Sequence, residues 1–133
     1  MAIPIMILCD TNILIEFYKN NHSIIQHLRE IGPENIVISA ITQAELYYGA
    51  LNKRELQRIK SHLLTIQILP IDNNITSTFI QLMETYALSH KLSLPDALIG
   101  ATALVHNLEL YTLNLKDFRY IQGLSLYAPN FRN

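Results

Sequence analysis

Short apolar runs alternate along this chain with longer stretches of helical periodicity. Ile5-Met6-Ile7-Leu8-Cys9 is apolar throughout and reads as a strand buried on both faces. Ile36-Val37-Ile38, Ile66-Gln67-Ile68-Leu69 and Glu109-Leu110-Tyr111-Thr112 follow the same logic, and Leu124-Ser125-Leu126-Tyr127 reads as an added edge strand. Between them, helices are expected over Ile13 to Lys19, Ser23 to Ile31, Ala40 to Ala50, Arg54 to Leu64, Ile75 to His90 and Asp96 to His106. In the fifth, Ile75, Phe79, Leu82, Met83, Tyr86 and Ala87 recur at helical spacing and form one apolar stripe. Gly32-Pro33, Pro70 and Pro95 punctuate the pattern, and Pro95 suits the first turn of a helix. Strands alternating with helices predict an α/β protein with a mostly parallel sheet of four to five strands, covered on both faces and joined by right-handed crossovers. At 133 residues, half of them hydrophobic, the chain fits a single domain spanning 1–133.

In such a sheet, ligands bind beyond the carboxyl ends of the strands, so polar residues that directly follow strands are the ones to inspect. The first strand ends in Asp10-Thr11-Asn12. Asp10 or Asn12 also suits the cap of the next helix. After the second strand, Ser39 is placed to cap a helix whose second turn carries Glu45 among Ala40, Ile41, Ala44, Leu46 and Tyr47. A lone Glu on a helix is usually solvated, and Thr42 to Glu45 has capping-box spacing. Asp96 follows Pro95 and is the only charge before a run of apolar residues reaching Val105, where a carboxylate also complements the helix dipole. The last strand leads into Leu113-Asn114-Leu115-Lys116-Asp117-Phe118, with Asn114 and Asp117 three apart on what a helical turn would make one face. Each acid taken alone has a structural explanation. Three of them nevertheless fall just beyond predicted strands or at a helix start on one predicted edge, and converging carboxylates, which repel one another, are relieved by raised pKa values or a bound cation.

Composition narrows the chemistry. Oxygen ligands without Cys or His favour Mg²⁺ or Mn²⁺ over zinc. The five histidines, His22, His27, His62, His90 and His106, show no ligand spacing and read as surface or helix-end residues. Cys9 lies in an apolar run and reads as a buried small hydrophobe in a reducing compartment. A net charge of −1 provides no basic field for a polyanion, so any such partner is held locally. Lys53, Arg54, Arg58 and Lys60 read as a solvated helix face, whereas Lys116 stands beside the fourth acid. Tyr47, Tyr48 and Leu51 read first as core packing, with a binding groove or dimer seam as the alternative. Neither a secretory leader nor a bilayer-length apolar run is evident, and a cytoplasmic protein with no membrane association is expected.

The whole chain resembles the PIN-domain proteins, specifically the small single-domain ribonuclease toxins of VapC type in type II toxin–antitoxin systems. The markers are Cys9-Asp10-Thr11-Asn12, Ala44-Glu45-Leu46 with Gly49, Pro95-Asp96-Ala97-Leu98-Ile99 through Ala101-Thr102-Ala103, and Thr112-Leu113-Asn114-Leu115-Lys116-Asp117-Phe118. Four motifs in order make this more specific than any one of them. The resemblance implies a three-layer α/β/α PIN-like fold and an endoribonuclease dependent on Mg²⁺ or Mn²⁺. It places the catalytic and metal-holding acids on Asp10, Glu45, Asp96 and Asp117, with Thr11, Asn12 and Asn114 in support. It also implies an RNA substrate, a small cognate antitoxin and a homodimer; Lys116, which Asp117 beside it places at the rim of the site, is the expected RNA contact. Gly100 departs from the pattern, where relatives often carry Ala.

Three rivals share parts of this pattern. A receiver-like phosphoacceptor domain would show paired acids after the first strand and a late lysine, where this chain has Cys9-Asp10 and Thr112-Leu113-Asn114. A dehalogenase-type phosphatase would want an acid where Asn12 stands. A catalytically silent PIN-fold binding module would recognise an antitoxin helix through an apolar groove, and the presence of all four acids argues against it.

Overall fold

In a computed structural model, residues 5–129 are described. Strand β1 (Ile7–Cys9) is buried at every position, while Ile5, expected to open the strand, is 69% exposed. A helix, α1 (Thr11–Tyr18), follows at once, and α2 (His22–Ile31) is capped by Asn21, whose side chain accepts from the backbone of Ser23 and Ile24. Strand β2 (Ile36–Ser39) leads into α3 (Ala40–Tyr48) and α4 (Lys53–Leu63), followed by β3 (Gln67–Leu69). The long α5 (Asn73–His90), α6 (Leu94–His106) and β4 (Glu109–Tyr111) complete the regular elements, with 3-10 turns at Pro33–Asn35 and Leu115–Asp117.

The sheet has four strands in the order β3-β2-β1-β4, all parallel. Side-chain alternation sorts its residues into two cores. Leu8, Val37, Leu69 and Leu110 pack with α5 and α6 through Ile75, Leu82, Ile99 and Ala103. Ile7, Cys9, Ile36, Ile38 and Tyr111 pack on the other face with Ile13, Ile24, Leu28 and Ile59 of α1, α2 and α4. The expected three-layer α/β/α architecture is therefore present. The predicted fifth strand is not: Leu124 to Tyr127 runs beside β4 but shares a single bridge, Leu110 with Leu126. Two backbone bonds secure it, Leu110 N to Ser125 O and Tyr127 N to Leu110 O. With β4 only three residues long, there is little ladder for that segment to extend.

Helix ends shift by a turn or less from expectation, and caps account for the shifts. Asp72 receives the backbone N–H of Ile75 at 2.9 Å and starts α5 two residues early. Ser93 receives Asp96 N at 3.3 Å, so α6 begins at Leu94 with Pro95 in its first turn. Helix α3 ends at Tyr48, which leaves Tyr48 and Leu51 exposed at 94% and 85%. Core packing is thus the wrong reading for those two, although Tyr47 does pack against the α1/α2 core. The helical stripe of α5 holds: Ile75 and Leu82 are buried, with Phe79, Met83 and Tyr86 packed beside them.

Candidate active site at the carboxyl edge of the sheet

Chain order reverses beside β1. The first crossover carries the chain to β2, and after β3 it returns across the sheet to place β4 on the other flank of β1. The crevice at such a switch point is where α/β sheets bind ligands. Asp10 leaves β1 there, and residues 112–117 leave β4 beside it, tied by the backbone bond Asp10 N to Tyr111 O at 2.9 Å.

Asp10 is buried and caps α1, accepting the Thr11 backbone N–H at 2.7 Å on Oδ1. Capping and site placement coexist in the one side chain. Its Oδ2 accepts the Thr112 hydroxyl at 2.7 Å and the Asn12 amide at 3.3 Å. Thr112, itself buried, accepts Asn114 N at 3.0 Å, and Asn12 Oδ1 accepts Leu113 N at 3.3 Å, so the segment after β4 is moored to the segment after β1. Asn114 caps the 3-10 turn through no side-chain bond, contrary to the capping reading of that residue. Asp117 lies half-buried at the end of the same turn, and Lys116, one residue earlier, is exposed.

Glu45 is neither solvated nor part of a capping box. Thr11 donates its hydroxyl to Glu45 Oε1 at 2.6 Å, and Thr42 Oγ1 lies 3.0 Å from the same hydroxyl in the interior. Ser39 caps α3 by accepting Ile41 N. Asp96 sits half-buried in the first turn of α6, whose Ala97, Gly100, Ala101 and Ala103 are buried. At Gly100 the helix faces Ile121 and Leu82 without a forced close approach, since a Cβ there would stand 3.4 Å from Ile121 Cδ1.

Electrostatics show that the four acids share one field. Burial first, then the charges of Glu45 and Asp117, raise the pKa of Asp10 against the lowering effect of its bonds from Thr112 and Thr11. Asp96 is pushed up to about 6, first by burial, then by Asp10, with Asp117 and Glu45 adding to it and a bond with Ser93 opposing. Among the described residues, no cation figures among the charges acting on either carboxylate.

Two residues of this network escaped the sequence reading as individuals. Thr112 and Thr42 looked like strand and helix constituents, and the only hint was a hydroxyl directly after the buried pair Leu110-Tyr111. Two histidines are also better placed than expected: His27 hydrogen-bonds the Tyr111 hydroxyl, and His62 bonds Tyr18 at 2.8 Å while stacking on Phe17. Beside the acids, a groove of about 690 Å³ runs between α1, α3 and α4, lined by Phe17, Tyr18, Leu51, Ile59 and His62 and ending at Glu45.

The PIN-domain family model matches residues 7–124, which takes in every element described. The chain belongs to the PIN-domain family. Among the relatives of this PIN-domain chain is ribonuclease VapC10 of Mycobacterium tuberculosis, 32% identical over 123 residues that make up 90% of each chain. Among solved structures, a toxin–antitoxin complex from Klebsiella pneumoniae matches with TM-score 0.77 and 40% identity, covering 92% of this chain and 97% of the other. DNA-bound VapBC from Salmonella typhimurium matches with TM-score 0.81 and 26% identity over 92% of this chain and 97% of the other. No helix among the described residues is long and apolar enough to cross a membrane.

The donor set of this PIN domain suits the hard cation its family pattern implies. All four acids offer oxygen, and burial without a positive neighbour opposes the charged form of Asp10 and Asp96. Among the described residues, no three acid, His or Cys side chains are grouped closely enough to hold a metal ion by themselves. An open arrangement of this kind fits Mg²⁺, which keeps several waters and takes only one or two carboxylates directly.

Proposed function

We propose that the protein is a divalent-cation-dependent endoribonuclease, the toxin of a toxin–antitoxin pair, hydrolysing RNA phosphodiester bonds at Asp10, Glu45, Asp96 and Asp117. The observation that carries this reading is the uncompensated field shared by these acids at the switch point of a PIN-domain sheet. RNA, rather than another phosphodiester, follows from the names of the relatives. Asp10 and Asp96 would hold Mg²⁺ or Mn²⁺, with Glu45 and Asp117 completing the shell directly or through water. When bound, the ion supplies Lewis acidity to the scissile phosphate and lowers the pKa of a coordinated water.

The remaining chemistry belongs to the chain. Thr112 fixes the orientation of Asp10, and Thr11 fixes Glu45, which is placed to orient the attacking water. Asn12 holds the segments after β1 and β4 together, and Asn114, its backbone N–H bonded to Thr112, supports the turn that carries Asp117. Lys116, on the exposed side of the 3-10 turn, would meet the RNA backbone and offset the negative site. The apolar groove ending at Glu45 offers a small antitoxin a way to reach and block the acids, in keeping with the toxin–antitoxin complexes among the structural neighbours. A homodimer is the expected assembly, and a cytoplasmic location follows from an RNA substrate.

The test is cleavage of cellular RNA by purified protein with Mg²⁺, with a chelator, and by Asp10→Asn with its fold checked by circular dichroism. Cleavage should vanish in chelator and fall on the order of 100-fold in the variant. Chelator-insensitive cleavage would overturn the cation, and full activity of the variant would overturn the site. A wild-type protein that binds its antitoxin but cuts no RNA would leave the silent binding module as the better reading.

A further inference from the structure

Next to the acids lies an aromatic cluster that the site chemistry leaves unused. The rings of His90 and Tyr120 stack with centroids 3.9 Å apart and planes 10° from parallel. Tyr86 meets both edge-on, at 5.6 Å and 5.0 Å, and its hydroxyl accepts Gln122 N at 3.1 Å. The stack is thus buttressed from below by α5 and closed by the segment that follows Asp117. That segment also crosses α6, since Ile121 Cδ1 lies over Gly100. Tyr120 is three residues beyond Asp117, and the charges of Asp96 and Asp117 both act on its phenol. His90 is exposed in the last turn of α5.

We infer that His90 and Tyr120 form a stacking platform for an unpaired nucleobase of the RNA, next to the phosphate held at the acidic site. Aromatic planes held rigid beside a phosphate-cutting centre match the way single-stranded RNA is gripped, by stacking of splayed bases on His and Tyr rings. The stacked pair contributes packing of its own, and a base laid on the exposed imidazole would extend the stack already begun. The inference rests on the nuclease reading and deepens it: the substrate class is RNA that is single-stranded at the cut.

The platform is tested on the full chain with a short single-stranded RNA that the wild type cleaves, bound in chelator so that it remains intact. An abasic nucleotide is placed at each position around the cut in turn. In the wild type, one position next to the cut should lose affinity by about fivefold or more when its base is removed. His90→Ala should bind the intact RNA that much more weakly, and in this variant removal of the same base should no longer matter. His90→Phe, which keeps a flat ring, should restore both affinity and base dependence, and His90→Ala should raise KM with little change in kcat. Equal loss on base removal in the wild type and in His90→Ala overturns the platform while the nuclease stands. A wild type that neither binds nor cuts RNA overturns both.

Discussion

On the β1 side of the site, Asp10 is buried and every oxygen is spoken for: Thr11 and Thr112 donate at 2.7 Å, and Asn12 adds a longer bond. On the α6 side, Asp96 is half-buried, leans on Ser93 alone, and owes its position to the close packing of a helix rich in small residues. Directed hydrogen bonds, one of them from a residue 102 positions away, fix the first acid. Shape fixes the second and leaves its carboxylate free to adjust. A cation site that must grip and release through a turnover gains from having one rigid and one adaptable ligand.

The largest expected effects come from breaking either side. Asp10→Asn and Asp96→Asn should each lower RNA cleavage on the order of 100-fold, yet melting curves of the cation-free proteins at neutral pH should separate them. Asp96→Asn removes a carboxylate whose ionisation is opposed by burial and like charge, so its Tm should rise. Asp10→Asn also puts an amide where Oδ2 accepted from Thr112 and Asn12, so its gain should be smaller or absent. Equal shifts would mean that the two acids are held alike.

Next is Thr112→Val, which keeps the shape and deletes the hydroxyl. It leaves Asp10 Oδ2 with only the longer Asn12 bond and takes the hydroxyl partner from Asn114 N, and should cost about 1–3 kcal/mol in denaturant unfolding. Activity should drop about 10-fold, the usual scale for a residue that orients a metal ligand. Unchanged activity would show that Asp10 does not depend on its tether.

Acidity probes both sides at once. Asp10 and Asp96 each hold a proton more tightly folded than unfolded, so the folded chain binds the extra protons in the intervening range. Stability of the cation-free protein should therefore fall as pH rises from the ordinary Asp value of 3.8 through about 6, the value reached by Asp96. Millimolar Mg²⁺ should flatten that fall, and should do so less in Asp96→Asn. A melting temperature that rises over this range would contradict the shared field. The smallest effect expected is that of Gly100→Ala: the added methyl meets only the flexible ends of Ile121 and Leu82, at 3.4 and 3.6 Å. Better helix propensity, at most about 1 kcal/mol, should offset that contact, leaving Tm level or slightly higher.

The same contrast explains what the amino-acid sequence disclosed. Helix α6 and its Asp96 were legible because Pro95, one acid and a run of small apolar residues are local signals. So were the alternating cores, since the β-strands and the stripe of α5 carry their period in adjacent residues. Thr112 holding Asp10 was not, because that bond joins residues 102 positions apart and nothing local marks either end. The pairs His27 with Tyr111 and His62 with Tyr18 were hidden for the same reason. Tyr48 and Leu51 misled in the opposite sense: their helical spacing was real, but α3 stops at Tyr48 and turns both out to water. The missing edge strand at Leu124 to Tyr127 had the right residue types and too short a neighbour.

The strand order has one more consequence, which concerns time. Because β1 lies between β2 and β4, the first strand of this sheet to leave the ribosome waits for the fourth before its second edge is paired. Pairings this distant in sequence form slowly. Asp10 meets Thr112 and Asp117 only when that final pairing closes, so a chain still being made carries its acids scattered. For a protein proposed to cut RNA, the message under translation and the ribosome reading it would be spared an assembled nuclease until β4 and the turn after it have emerged.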